Sequence, residues 1–131
     1  VKMAFLELGY QQVKAKPIKL ITDAPDPMHF CGTTPLGGKQ GDVYVRLPDK
    51  RLLAIECKVS NSEVNSFKRV MNDSLSKAHE WRRTLGENQV IPVLVLRGVF
   101  KPENLLTAQR DMYLIWDHRL SDLSNFAKGI E

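Results

Sequence analysis

Asp42, Glu56 and Lys58 are the residues of this chain whose types and spacing could do chemistry together. Leu52 to Lys58 alternates like a β-strand, with Leu53, Ile55 and Cys57 on one side and Ala54, Glu56 and Lys58 on the other. A tight turn, Pro48-Asp49-Lys50-Arg51, precedes it, and before that turn Asp42, Tyr44 and Arg46 share one face of another strand. If the two strands pair as a hairpin, Asp42 lies near Glu56 and Lys58. Two carboxylates and a lysine on one face suit a hard divalent cation.

The chemistry such a set can perform is phosphodiester hydrolysis. A phosphodiester resists attack because its negative charge repels nucleophiles and its alkoxide is a poor leaving group. Mg²⁺ addresses both, by binding the phosphate and by lowering the pKa of a coordinated water. It takes oxygen ligands, usually one or two carboxylates and several waters, and Asp42 and Glu56 meet that requirement. Without a cation the two carboxylates repel one another and at least one pKa rises. Lys58 can hold the attacking water and stabilise charge developing on the phosphate. A lone Glu-x-Lys arises by chance at roughly one position in 250–300, so it is the setting that discriminates. Gly41-Asp42 opens one strand, a tight turn follows, and an apolar strand leads through Glu56-Cys57-Lys58 into a basic helix. The bland alternative is an exposed hairpin with a surface ion pair of little worth.

Several elements must position these residues. Val1 to about Lys16 reads as an amphipathic helix ending before Pro17, and Ile18 to Ile21 as a short strand. Residues 23–41, rich in Pro, Gly, Asp and Thr, read mostly as loop, with a brief strand around His29-Phe30-Cys31. After the hairpin, Val64, Phe67, Met71, Leu75, Ala78, Trp81 and Leu85 recur at spacings of three and four, predicting a helix from Asn61 to Leu85. Ser60 with Glu63 resembles a capping box, and Gly86 suits the C-terminal cap. Lys68, Arg69, Lys77, Arg82 and Arg83 lie off the apolar stripe. Val90 to Leu96 reads as a central, doubly covered strand. A short helix or loop over Pro102 to Gln109, a strand over Met112 to Trp116 and a helix over Leu120 to Ile130 complete the order. Antiparallel strands followed by crossover helices imply an α/β fold, a mixed sheet with helices on both faces.

A chain of 131 residues, 43% hydrophobic and 26% charged, is expected to form a single domain with a real core. No apolar run is long enough to span a bilayer. The chain opens on Val1 within a helical pattern, the expectation for a piece of a longer protein. Cys31 and Cys57 are too few for a disulfide scaffold or a zinc site, which fits a reducing cytoplasm, and Cys57 reads as a small apolar filler on a buried face. Net charge is +4, unevenly spread: residues 39–101 balance to +5 and residues 102–131 to −2. The basic part coincides with the candidate site and favours a polyanion such as nucleic acid.

Asp42 with Glu56-Cys57-Lys58, set in an αβββαβ order that covers most of the chain, resembles the PD-(D/E)XK nuclease superfamily and its restriction-endonuclease-like fold. The resemblance implies that Asp42 and Glu56 bind Mg²⁺, for which Mn²⁺ can substitute. It further implies that the main-chain carbonyl of Cys57 adds a ligand and that Lys58 supports the attacking water. Gly41 stands where the motif's name places proline. The implied function is metal-dependent DNA cleavage of the restriction type, with Lys39, Lys68, Arg69 and Lys77 contacting phosphates. Cutting both strands needs two sites, hence a homodimer or a partner subunit. The alternatives are a noncatalytic DNA-binding or assembly module on the same fold, and a junction- or repair-specific nuclease. Glu7, His29, His79 and His118 read as solvated or hydrogen-bonded groups and Trp81 as core. Gln109 and Tyr113 match a Gln-x-x-x-Tyr spacing found in relatives of helicase-associated exonucleases, but straddle a helix-to-strand transition.

Overall fold

The computed structural model describes residues 1–60, 73–100 and 102–128. A short helix α1 (Lys2–Glu7) leads into β1 (Gln11–Gln12), β2 (His29–Cys31) and the small hairpin of β3 (Thr34–Leu36) and β4 (Lys39–Gly41). Then come β5 (Val43–Arg46), β6 (Leu52–Ser60), helix α2 (Leu75–Leu85) and β7 (Val90–Gly98). Helix α3 (Pro102–Ala108), β8 (Tyr113–Trp116) and helix α4 (Leu120–Lys128) close the chain. Six strands form one sheet in the order β1-β2-β5-β6-β7-β8. The β2, β5 and β6 pairings are antiparallel, and β7 runs parallel to both β6 and β8. The expected mixed sheet with flanking helices is the fold observed. Among the described residues no helix is long and apolar enough to cross a membrane.

Strand alternation divides the core between the two faces. Phe30, Val45, Leu53, Ile55 and Val93 pack with Phe5 of α1 and with Leu123 and Ala127 of α4. On the opposite face Tyr44, Leu52 and Ala54 meet Trp81 and Leu85 of α2, while Leu94 and Leu96 meet Ala78 and Ala108. The seven residues Val90–Leu96 are all buried, as the unbroken apolar run of β7 requires.

Three expectations are corrected. The first helix ends at Glu7, because the chain turns at Gly9, whose φ of +92° a helix cannot continue, and Gln11–Gln12 then pairs with β2. Ile18 makes only an isolated bridge to Leu36, and Ile21–Asp23 is a 3-10 turn in place of a strand. The supposed loop before Asp42 contains the β3–β4 hairpin, turned at Gly37 with φ +62°. The long helix is described from residue 73 on, so Val64, Phe67, Met71 and Glu63 of the proposed capping box lie outside the described residues, while Ser60 is the last residue of β6.

One buried hydroxyl fastens that hairpin to the sheet. Tyr44 Oη accepts the Gly41 N–H and donates to the Thr34 carbonyl, both at 2.8 Å. The approach is so close that a Cβ on Gly41 would stand 2.8 Å from Tyr44 Oη and 3.0 Å from the Trp81 ring. Tyr44→Phe would leave a buried N–H and C=O without their partner, a cost of about 1–3 kcal/mol. Urea unfolding of that variant should show the loss, with an unchanged far-UV spectrum. Gly41→Ala should cost a similar amount, about 1–3 kcal/mol, through overpacking against Tyr44 and Trp81.

Candidate active site

The β5–β6 register, with Val43 opposite Ile55 and Tyr44 opposite Ala54, brings Asp42 beside Glu56 as a hairpin requires. Asp42 stands at the bend just before β5. Its N–H donates to the Ile55 carbonyl at 2.9 Å, and its Oδ2 accepts the Cys57 N–H at 2.7 Å. Its main chain and side chain thus hold β6 on either side of Glu56. Ile55 and Cys57 present their main-chain groups to the same edge, so the Cys57 carbonyl also faces away from β7.

Glu56 lies between the two apolar clusters beneath α2 and is only 4% exposed. Lys58 Nζ is 3.7 Å from its Oε1, and Lys77 Nζ is 2.5 Å from its Oε2. The Lys77 contact is a short charged one, and Lys77 pulls the Glu56 carboxyl toward its ionised form both by hydrogen bonding and by its charge. Lys58 also pairs closely with Asp73 Oδ2, and Lys77 lies 3.8 Å from the same oxygen. Burial pushes the Glu56 carboxyl above its usual range and Asp42 adds to the rise, against the pull of Lys77 and Lys58. Partial burial raises Asp73 as well, but the bond to Lys58 and the charges of Lys58, Lys77 and Lys39 outweigh it and leave Asp73 low.

Asp42, Glu56 and Asp73 face Lys58 and Lys77, with the Lys39 charge also acting on Asp73. Among the described residues no three His, Cys, Asp or Glu side chains are grouped to enclose a metal ion. A hard cation here would draw on the two carboxylates of Asp42 and Glu56, the Cys57 carbonyl and water. All of these are oxygen donors, the kind a hard divalent cation takes.

Lys77, expected on an exposed basic face, turns inward to Glu56 instead, with a side chain 16% exposed. Lys39 is exposed on β4, and its carbonyl accepts the Trp81 indole N–H at 3.2 Å. Lys68 and Arg69 lie outside the described residues. Cys57 is not the buried filler expected, for it sits on β6 beyond the last residue paired with β5 and is exposed. Glu7 is exposed on α1, and Trp81 is fully buried. The histidines are elsewhere: His29 is 2.9 Å from the Pro27 carbonyl, His79 3.5 Å from Asp111, and His118 beside Trp116. Gln109 follows α3 and Tyr113 lies on β8. Sequence reasoning missed Asp73. Its signal was the opposite charge of Lys77 four residues on, off the apolar stripe of the helix.

The Glu56 shift has a definite sign in stability. Without a cation the native state keeps the Glu56 proton to higher pH than the unfolded chain, whose carboxyl titrates near the ordinary 4.5. Stability therefore falls as pH rises from there through the native value. Asp73 runs oppositely, its contribution being lost as pH falls through its lowered value. Urea unfolding in EDTA between pH 4 and 8 should show wild type losing stability relative to Glu56→Gln as pH rises. Parallel curves would contradict this account of Glu56.

Residues 1–116 match the XamI restriction endonuclease family. The chain is 47% identical over 92 residues to the type II restriction enzyme XamI of Xanthomonas campestris pv. amaranthicola, a match covering 70% of this chain. It spans about a third of that enzyme's length, 34%. The crystal structure of protein VC1899 from Vibrio cholerae shares the fold, with a TM-score of 0.54 at 23% identity over 82% of this chain and 30% of that one. The family match supports the resemblance to the PD-(D/E)XK nucleases. This chain belongs to the XamI restriction endonuclease family.

Proposed function

We propose that the chain provides the cleavage site of a divalent-metal-dependent DNA endonuclease of the restriction type. The observation that carries the reading is the fixing of Asp42 across β6 beside buried Glu56, with Lys58 on the same face. Asp42, Glu56 and the Cys57 carbonyl are the groups that would hold Mg²⁺ or Mn²⁺. When bound, the ion supplies neutralising charge for the phosphate and a more acidic water.

The protein's own residues supply position and charge. Lys58 is held in position by Glu56 and Asp73, so its N–H groups donate to an incoming water and to the phosphate oxygen on which charge builds. Water gives up a proton to solvent as its oxygen bonds to phosphorus, the P–O bond to the leaving sugar oxygen breaks, and that oxygen takes up a proton from solvent. Exposed Lys39, the first residue of β4 beside the Gly37-Gly38 turn, would contact backbone phosphate, a role that the sequence also suggests for Lys68 and Arg69. Each of the two strands of a duplex needs such a site, so the working unit is a dimer or includes a partner subunit. A restriction enzyme of this kind would work in the cytoplasm.

Supercoiled plasmid incubated with Mg²⁺ or Mn²⁺ should be nicked and then linearised, and EDTA should stop it. Asp42→Ala, Glu56→Ala and Lys58→Ala should each lower cleavage by about 10²–10³-fold. Wild-type rates in all three variants would sink the assignment. Salt-sensitive DNA binding without cleavage of any DNA form would point instead to a noncatalytic module.

A further inference from the structure

Lysine ammonium groups are strongly hydrated and normally extend to water. Lys77 does not. Its side chain is 16% exposed, with Nζ 2.5 Å from Glu56 Oε2 and 3.8 Å from Asp73 Oδ2. A hydrogen bond and the attraction of opposite charges both hold that contact. The oxygen concerned belongs to one of the two carboxylates a divalent ion would use. A second cation at Glu56 would repel Lys77, and the other partner of Lys77, Asp73, is already engaged by Lys58. The way out is short, since Asp73, one helical turn before Lys77, has a side chain 43% exposed.

Resting on the nuclease reading above, we propose that Lys77 is a built-in counter-cation. It neutralises Glu56 while no divalent ion is bound, leaves Glu56 when the ion arrives, and is then free to pair with a DNA phosphate. In the first state it is a positioning residue that keeps a buried carboxylate from standing uncompensated. In the second it joins the phosphate contacts at the moment the site becomes competent. Metal and DNA are coupled through one side chain, since each helps to draw Lys77 away from Glu56.

Two measurements test this without relying on cleavage. In wild type, acetylation footprinting by mass spectrometry should find Lys77 protected in EDTA and several-fold more reactive in Mg²⁺. Protection unchanged by Mg²⁺ overturns the proposal. Manganese binding measured by electron paramagnetic resonance at pH 8, without DNA, should be about threefold to tenfold tighter in Lys77→Met than in wild type, because the competing charge is gone. Lys77→Arg, which retains the charge, should bind like wild type. Equal or weaker binding by a folded Lys77→Met protein also overturns it. Glu56→Ala serves as the separate control: if it binds Mn²⁺ as wild type does, the metal-site reading itself fails. If it loses Mn²⁺ while Lys77→Met is unchanged, only the role of Lys77 falls.

Discussion

The bridge from Asp42 to β6 is the constraint on which the rest of the site depends. Hydrogen bonds from one residue to the Ile55 carbonyl and from the Cys57 N–H fix it above and below Glu56. β5 can therefore end at Val43 without leaving β6 unpaired at that point, and the carboxylate takes the role of a further ladder residue. Everything polar in the site is arranged around this anchor, including Glu56 turned under α2 and Lys58 two residues beyond.

Burial of Glu56 is affordable only because the helix that covers it is chemically two-sided. Ala78, Trp81 and Leu85 of α2 complete the core over β5, β6 and β7, while Asp73 and Lys77 at its start face the charged residues of β6. The apolar stripe fixes where the charged turn must fall. Gly41 belongs to the same arrangement. With Tyr44 Oη and the Trp81 ring packed against its α-carbon, a proline would have no room for its ring and no N–H to give Tyr44. The departure from the proline in the motif's name is thus a consequence of the packing below it.

The hairpin and its face-sharing were legible because β alternation is local: residues two apart on one strand must share a face, and the Pro48–Arg51 turn sets the register. The buried run of β7 and the covering helix were legible for the same reason, each showing its own period. What escaped was set by contacts distant in sequence. Gln11–Gln12 has no strand pattern of its own and becomes a strand only by lying beside His29–Phe30. The β3–β4 hairpin hid within a segment rich in Pro and Gly because its strands are three residues each and depend on Tyr44 to hold them. Lys77 looked like a surface cation because helical projection shows only that a residue is off the apolar stripe, not that a buried carboxylate waits there.

The exposed thiol of Cys57 bears on how such a site can change over time. Between two residues whose side chains are committed, position 57 contributes through its N–H to Asp42, and its side chain faces outward. A main-chain group is supplied by any residue except proline in the case of N–H. The middle position of Glu56-Cys57-Lys58 is therefore the one where substitution least disturbs the arrangement of charged side chains on either side of it. Drift at this position can alter the local surface next to Glu56 and Lys58 while leaving the anchor of Asp42 intact.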